Sequence, residues 1–345
     1  MYDLLNELTA LPGVSGSEKH VRDFIISKLK LGKSYRIDNI GNLITEFGEG
    51  NPHIALVAHM DEVGLIVTKI ENDGSLRFRK VGGVDDRILV SRKIQIQTAA
   101  GPVSGVIGIK PSHLTTDPEE MKKSIPAEKL YIDVGTRSSK ETGKLGIKIL
   151  DTVTLEKGLV KLGKDMVVGR GLDDRVGCAI LMQAYEQLKT RKIKGRITFV
   201  WSVQEEMGLR GAKVIAHTMK PDFVIVLDTI SSGDSPGVDV GHLQPAVLGK
   251  GPALRYFDSL SIASPRLREI ATQVAKNKRI PLQEIAAGGT TDATAVQEAG
   301  SAVIPIGVGM RNTHSTTETV SLKDIDNAIK LVVEFVARLS NERIL

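Results

Sequence analysis

The hydrophobic pattern of this chain changes twice along its length, and that change most restricts the fold. Residues 1–64 and 161–345 alternate short apolar runs with amphipathic segments of helical period, which is typical of α/β domains. Residues 65–160 contain short alternating segments instead, separated by loops with Gly or Pro, and a strong hairpin signal at Asn72-Asp73-Gly74. We therefore predict an α/β domain interrupted by an inserted all-β domain, either a small barrel or a sandwich.

The apolar runs of the α/β segments are short and continuous, as expected of strands buried on both faces of a largely parallel sheet. One run contains Pro305, which cannot donate a hydrogen bond to a neighbouring strand, so we expect a short strand or an edge strand there. The runs are His53 to His59, Ile197 to Val203, Phe223 to Leu227 and Val303 to Val308.

Several helix starts carry recognisable capping residues. Ser15 and Glu18 have the spacing of a capping box and predict a helix through the twenties. Ser264-Pro265 places proline at the first helical position of a later helix. Ser321 and Asp324 predict the start of the closing helix.

Composition excludes several classes of protein. The net charge of +5 is small beside 41 acidic residues, and the basic cluster from Lys189 to Arg196 has no interleaved aromatic residues, so we expect no nucleic-acid partner. No stretch approaches 18 uninterrupted apolar residues, so we expect no membrane span. Cys178 is the single cysteine, which excludes an internal disulfide and favours a cytoplasmic location. It lies in an apolar helical pattern, where a buried structural thiol is expected.

Histidines and carboxylates occur at or just beyond the ends of four predicted strands, and Asp173 lies just before a helix. Because the carboxyl ends of parallel strands meet at one edge of a sheet, these side chains are expected to converge there. Together they form the mixed nitrogen and oxygen ligand set that zinc or cobalt favours in hydrolases. Taken singly, each has a structural alternative: a hydrogen-bonded histidine, a helix cap or a turn residue. The strand-end residues are His59, the pair Glu205 and Glu206, Asp228 and His314.

The adjacent acids Glu205 and Glu206 impose a geometric condition. Neighbouring residues on a strand point to opposite faces, so a regular strand would separate the two carboxylates. The pair can serve one pocket only if the backbone bends, as Gly208 suggests. Otherwise the two acids are solvated side chains at a strand end.

Five separated segments have the order and spacing of motifs in a known family: Ala58 to Gly64, Leu172 to Gly177, Val203 to Ala212, Leu227-Asp228 and Thr313 to Ser315. With them, the chain resembles the M42 metallo-aminopeptidases, the glutamyl aminopeptidase-like enzymes also called tetrahedral or TET aminopeptidases. The resemblance covers essentially the whole chain, including the β-rich insertion and the residues from Pro12 to Gly16.

The resemblance implies a phosphorylase/hydrolase-like α/β fold, a mixed sheet flanked by helices, with residues 1–64 and 161–345 as the catalytic domain. It implies that residues 65–160 form an inserted PDZ-like β-barrel that makes dimer contacts. It further implies that twelve subunits form a tetrahedral shell that admits only unfolded peptides.

The resemblance also implies two divalent metal ions, zinc or cobalt, in each subunit. By position in the motifs, His59 and Asp228 would hold one ion, Glu206 and His314 the other, and Asp173 would bridge them. Two ions about 3.5 to 4 Å apart can lower the pKa of a bridging water and polarise a peptide carbonyl.

Two further roles follow from the resemblance. Glu205 is expected to be the general base that activates the bridging water, and Asp61 the acid that orients the imidazole of His59. The glycine-rich loop of the family corresponds here to residues 288–292. It departs from the family pattern because Thr290 replaces the third glycine. We therefore assign no binding role to that loop.

The sequence thus predicts a dinuclear metallo-aminopeptidase acting on short peptides. One alternative is a metal-independent glycoside hydrolase of endoglucanase type, which needs two carboxylates but leaves His59, Asp173 and His314 unexplained. The other alternative is a non-catalytic assembly that binds peptides in a metal-dependent way.

Overall fold

The computed structural model describes residues 1–117, 119, 122–156 and 158–341. Two short helices open the chain and lead into the first strands of the main sheet. The predicted capping box at Ser15 is wrong, because the helix begins four residues later and the Ser15 hydroxyl donates to Asp61 at 2.6 Å instead. These elements are α1 (Tyr2–Ala10), α2 (Lys19–Lys28), β1 (Tyr35–Ile37), β2 (Leu43–Glu49) and β3 (His53–His59).

The β-rich segment folds into a closed barrel of six antiparallel strands, in the order β4-β5-β8-β7-β6-β9. The predicted hairpin is confirmed, since Ile70 pairs with Leu76 across the turn. Of the two predicted forms the barrel is the one present, and apolar side chains from all six strands fill its interior. The elements are β4 (Gly64–Ile70), β5 (Leu76–Val81), β6 (Lys93–Thr98), β7 (Gly101–Gly108), β8 (Tyr131–Asp133), α3 (Ser139–Lys144) and β9 (Thr152–Leu155).

The chain then returns to the main sheet. Within the described residues, eleven strands form this mixed sheet, in the order β1-β2-β12-β3-β13-β16-β17-β11-β10, with β14 and β15 attached beside β16. The remaining elements are β10 (Val160–Leu162), β11 (Met166–Gly169), α4 (Leu172–Leu188), β12 (Gly195–Ser202), α5 (Arg210–Thr218), β13 (Phe223–Ser231), β14 (Ala253–Phe257), α6 (Pro265–Lys278), β15 (Gln283–Ala286), α7 (Ala293–Glu298), β16 (Ala302–Arg311), β17 (Glu318–Ser321) and α8 (Leu322–Leu339).

Helices cover both faces of the sheet. Alternate residues of β3 show this: Leu56 packs in the core shared with α1, α2, α4, α6 and α8, whereas Val57 packs in the core shared with α5 and α7. The predicted cap of α8 is present, since the Ser321 hydroxyl accepts from the N–H of Asp324. Among the described residues, we find no helix with the length and hydropathy needed to cross a bilayer.

Strand β16 differs from the prediction of a short or edge strand. It has ten residues and lies inside the sheet, between β13 and β17. The sheet tolerates Pro305 because β14 pairs only with the following Ile306 and Gly307, while β13 pairs along the opposite edge. On the side away from β13, the Val303 carbonyl accepts from the Ser264 N–H, so no strand there needs a donor from Pro305.

Candidate metal centre

The backbone bends just after strand β12, immediately before the adjacent acids Glu205 and Glu206. The strand ends at Ser202, and Gln204 adopts a left-handed conformation with φ of 55°. We expected Gly208 to make the bend; its φ is 98°, but the change of direction has already begun at Gln204. A left-handed conformation is costly for a residue with a side chain, so other contacts must hold it.

Two buried carboxylates hold this bend by accepting three successive backbone N–H groups. Glu18 accepts from Gln204 at 3.2 Å, and Asp61 accepts from Glu205 at 3.0 Å and from Glu206 at 3.2 Å. These contacts satisfy donors that the end of the strand would otherwise leave buried and unpaired. As a result, both acids of the pair line one cavity.

Asp173 lies between the two predicted histidine ligands. Its Oδ1 is 3.2 Å from Nε2 of His59, and its Oδ2 is 3.6 Å from Nε2 of His314. Asp173 and Asp174 interrupt the helical geometry at the start of α4, and Asp173 lines the cavity there. One carboxylate therefore faces a histidine with each of its oxygens.

The other predicted ligands complete the same cavity, whose volume is about 390 Å³. Nε2 of His314 is 3.0 Å from Oε1 of Glu206, and Nε2 of His59 is 3.9 Å from Oδ1 of Asp228. We predicted that the strand ends at Asp228. Strand β13 instead continues to Ser231. Its side chain nevertheless lines the cavity, where Thr229 donates its N–H to Oδ1 at 2.6 Å.

Asp61 does not line the cavity but lies beneath it, fully buried. Nδ1 of His59 is 3.1 Å from the Asp61 carbonyl oxygen and 3.4 Å from its Oδ1. The carboxylate therefore sits beside the imidazole, but its hydrogen bonds go mainly to the bend that carries Glu205 and Glu206.

Burial and mutual repulsion dominate the electrostatics of the carboxylates. Burial raises the pKa of Asp228 to about 8, and the charge of Asp173 adds to the effect. Burial also raises the pKa of Glu205 well above its ordinary value, against the opposing charge of His59. It raises the pKa of Glu206 as well. Carboxylates this crowded are best stabilised by added positive charge.

The histidines and Asp173 shift as paired charges do: both histidine pKa values rise, and the pKa of Asp173 falls. Burial alone would lower the pKa of His314, but its hydrogen bond to Glu206 outweighs burial and raises that pKa to about 9. Hydrogen bonds to Asp173 and Asp61 likewise raise the pKa of His59 despite its burial. The hydrogen bond to His59 lowers the pKa of Asp173, although burial opposes it.

The donor atoms fit divalent ions. In the described part of the chain, two sets of three side chains bring one donor atom each within 4.8 Å of one another: His59, Asp173 and Glu206, and His59, Asp174 and Asp228. Imidazole nitrogens mixed with carboxylate oxygens suit zinc, cobalt or manganese. The repulsion that raises the carboxylate pKa values is the repulsion that such cations would relieve.

Three residues at the centre escaped the sequence analysis. Glu318 is buried and accepts from the backbone N–H of Asp173 at 3.3 Å and of His314 at 3.0 Å, so it holds two predicted ligands. The Gly83 carbonyl lies 3.2 Å from Nδ1 of His314. Asp174 joins one donor set, and only its place next to Asp173 could have suggested it.

The glycine-rich loop also lines the cavity, although we assigned it no role. Thr290 faces the cavity and exchanges a hydrogen bond with the Thr294 hydroxyl at 2.8 Å. Arg255 lines the same wall and donates to the carbonyl of Gly288 in the loop. The loop is therefore tied to β14 by a buried guanidinium group.

This chain is similar to known proteins over most of its length. A family model described as M42 glutamyl aminopeptidase matches residues 41–331. The lysyl aminopeptidase of Pyrococcus furiosus is 33% identical over 98% of this chain and 97% of its own length.

Two solved structures are similar as well. The TET1 peptidase of Pyrococcus horikoshii is 38% identical with a TM-score of 0.89, over 96% of this chain and 98% of its own; that peptidase can assemble into a tetrahedron or a large octahedral shell. A TET aminopeptidase from a marine sediment archaeon of the Thaumarchaeota is 34% identical with a TM-score of 0.93, over 98% and 96%. The chain therefore belongs to the M42 peptidase family, and it is a peptide hydrolase.

Proposed function

We propose that this protein is a dinuclear metallo-aminopeptidase that removes N-terminal residues from short peptides. The observation that carries the proposal is the position of Asp173, whose two carboxylate oxygens face His59 and His314 on opposite sides. A carboxylate in this position suits a bridge between two ions. The positions of Asp228 beside His59, and of Glu206 beside His314, support the two proposed sets of ligands.

Zinc or cobalt is the proposed metal at both positions, because the donors are imidazole nitrogens and carboxylate oxygens. Bound divalent ions polarise a peptide carbonyl and lower the pKa of a water molecule. Residues of the chain supply the remaining functions. His59, Asp173 and their partners hold the donor atoms in place, and the cavity wall confines the N-terminal end of the peptide.

Glu205 is the proposed general base. It lines the same cavity as the proposed ligands and follows directly on the bend that also positions Glu206. Burial raises its pKa in the metal-free protein, which favours acceptance of a proton. It would take the proton of the attacking water and return it to the departing amine. Asp61 fixes the backbone of Glu205 and thereby aims its carboxylate.

The two adjacent acids provide the sharpest test of this assignment. Glu205→Gln should keep both metal ions and lose turnover by about 10²- to 10⁴-fold, because only the proton acceptor is removed. Glu206→Ala should lose metal along with turnover. Turnover is measured with aminoacyl p-nitroanilides after addition of Co²⁺ or Zn²⁺, and bound metal by elemental analysis of the dialysed protein.

Other outcomes would point elsewhere. If Glu205→Gln lost metal and Glu206→Ala kept it, the two roles would be exchanged. Cleavage of a β-glucan that resists chelators would favour the glycoside hydrolase. Stoichiometric metal with peptide binding but no turnover would favour the non-catalytic assembly.

We also propose that residues 65–160 form a separate domain that makes dimer contacts, and that dimers assemble into a tetrahedral dodecamer. Large apolar side chains exposed on this segment support an interface: Val106 is 45% exposed and Leu150 is 69% exposed. Native mass measurement tests the assembly, and a stable monomer at working concentration would contradict it.

A cytoplasmic location is proposed from the cysteine content alone. The chain has one cysteine, Cys178, which is buried and free, so the fold needs no oxidising compartment. Fractionation of the source cells, with the protein detected by antibody, would test the location.

A further inference from the structure

The turn at Gly82 and Gly83 is anchored in the barrel. It follows strand β5, which ends at Val81, and precedes Val84, whose side chain is buried in the barrel core. The N–H of Val84 donates to the Gly82 carbonyl at 3.0 Å, which holds the turn closed. The position of this turn therefore follows the position of the barrel.

The same turn packs directly against two predicted metal ligands of the main sheet. A Cβ atom at Gly82 would lie 3.3 Å from Cβ of Glu206 and 2.8 Å from a methyl group of Val63. A Cβ atom at Gly83 would lie 2.9 Å from Nδ1 of His314. A Cβ atom this close to Val63 or to the His314 ring would force a shift, so glycine at both positions lets the barrel backbone reach the centre.

The Gly83 carbonyl is positioned to favour one tautomer of the His314 ring, the one with its proton on Nδ1. It lies 3.2 Å from Nδ1, while Nε2 points to Glu206 at 3.0 Å. When Nδ1 donates its proton to a carbonyl, the Nε2 lone pair is left for a ligand, and the ring cannot rotate freely.

Besides the carboxylates at Nε2, the Gly83 carbonyl is the hydrogen-bond partner that the described residues offer the His314 ring. The residue has a left-handed backbone with φ of 58°, and its side chain is 29% exposed. Glu318 fixes its backbone N–H but does not contact the ring. Of the two ring nitrogens, Nδ1 meets the barrel and Nε2 meets the carboxylates of the centre.

We propose that the Gly82-Gly83 turn is a positioning element of the metal centre, so that the inserted barrel helps to determine metal affinity. The inference rests on the proposed role of His314 as a ligand. It gives the barrel a part in the centre that is separate from any contact between subunits. Since coupling is reciprocal, metal binding would also stabilise the packing of the turn against Glu206 and His314.

Gly83→Ala is a clean probe of this contact. The new methyl group would meet only the His314 ring, at Nδ1 and at Cε1 (3.2 Å), and Gly83 does not have the left-handed φ that alanine resists. Displacing the ring should weaken binding of one of two ions by about 10- to 100-fold, the usual effect of losing a partner of a ligand. The affinity is measured by calorimetric titration of the chelated, dialysed protein with Zn²⁺.

Gly143→Ala is the matched control. Gly143 lies in α3 of the same segment, also lacks a left-handed φ, and has no atom within 4 Å of an added Cβ. It should bind both ions with wild-type affinity. The melting temperature of the metal-free protein should change little in either variant, whereas a general structural defect at Gly83 would lower it.

The outcomes separate this inference from the proposed function. If Gly83→Ala binds two ions as tightly as the wild type, the turn has no positioning role. If the wild type binds no divalent ion, the proposed function fails first. Should Gly83→Ala not fold, Val63→Ala loosens the other side of the turn, and unchanged metal affinity in that variant would overturn the inference.

Discussion

Two buried charged clusters lie side by side in this protein, and they balance their charge in different ways. In the metal centre, Asp173, Glu205, Glu206 and Asp228 surround two histidines. In the second cluster, Glu62 lies between Arg170 and Arg175, with all three side chains buried. We call the second the arginine cluster.

The arginine cluster ties the start of the chain beneath the centre. Arg170 pairs with Glu62 and donates to the Thr9 carbonyl at 3.2 Å, and Arg175 donates to the Leu8 carbonyl at 3.2 Å. Glu62 also accepts from the N–H of Gly13 at 3.0 Å. Its cations and acceptors therefore all come from the chain itself.

The difference between the clusters shows how burial can serve either folding or binding. Removing one partner from a buried charge network leaves the others uncompensated in a medium that solvates them poorly. In the arginine cluster, losing a partner would therefore lower the free energy of unfolding. In the candidate metal centre, where carboxylates outnumber the basic groups, added cations would relieve that penalty. The following predictions test this contrast.

The largest effect is expected from Arg170→Ala. It should lower the free energy of unfolding by about 3 to 5 kcal/mol, because Glu62 stays buried without its closest partner. The loss should be the same with and without metal, as measured by denaturant unfolding. As a control, Lys19→Ala breaks the exposed pair with Asp23 and should cost less than about 0.5 kcal/mol. A small effect at Arg170 would remove the contrast between the clusters.

The next effect concerns the response to metal. Metal at 100 times its dissociation constant should stabilise the wild type by about 2.7 kcal/mol. Asp228→Asn should lose most of that gain, yet the metal-free variant should be more stable than the metal-free wild type by about 1 kcal/mol, since one repelled carboxylate is gone. Thermal unfolding with chelator and with added Zn²⁺ measures both quantities. Lower stability of the metal-free variant would contradict the repulsion argued here.

The stability of the metal-free protein should fall as the pH rises. The pKa of Asp228 is raised from 3.8 to about 8, so its stabilising contribution is complete below pH 3.8 and is lost as the pH rises through 8. The pKa of His314 is raised from 6.5 to about 9, which gives a loss in the same direction between those values. Unfolding between pH 5 and 9 should show a progressive fall in the free energy of unfolding when chelator is present. A free energy of unfolding that does not change with pH in the chelated protein would contradict this prediction.

The smallest effect is expected at Cys178, an uncharged residue between the clusters. Its thiol donates to the His59 carbonyl at 3.1 Å, and burial raises its pKa, so it should not react with iodoacetamide in the folded protein. Cys178→Ala should cost about 1 kcal/mol through a small cavity and leave metal affinity unchanged. Rapid alkylation of the native protein would show that the site opens.

The fold was largely predictable where the pattern is local. The hairpin at Asn72 to Gly74, the apolar strand β3 and the cap at Ser321 depend on neighbouring residues and appear where expected. The prediction of a short or edge strand at Pro305 was wrong, because a proline is excluded from a sheet only where its missing N–H would face a paired strand. That condition depends on where β14 joins the sheet, which residues near Pro305 do not reveal.

The sequence by itself determined the chemical types at the centre: two histidines and a row of carboxylates at strand ends, in motifs that identify the family. It also required a bend at Glu205 and Glu206, because adjacent side chains on a strand diverge. The boundaries 1–64, 65–160 and 161–345 and the roles of the site residues remain predictions.

Only the tertiary structure decided what holds those side chains in place. Glu18 and Asp61 shape the bend, Glu318 holds two predicted ligands, and Gly83 brings the barrel to His314. These supporting groups are far from their partners in sequence and use backbone atoms, so no local pattern marks them. Periodicity reports which face of an element is buried; it does not report which distant backbone group will meet it.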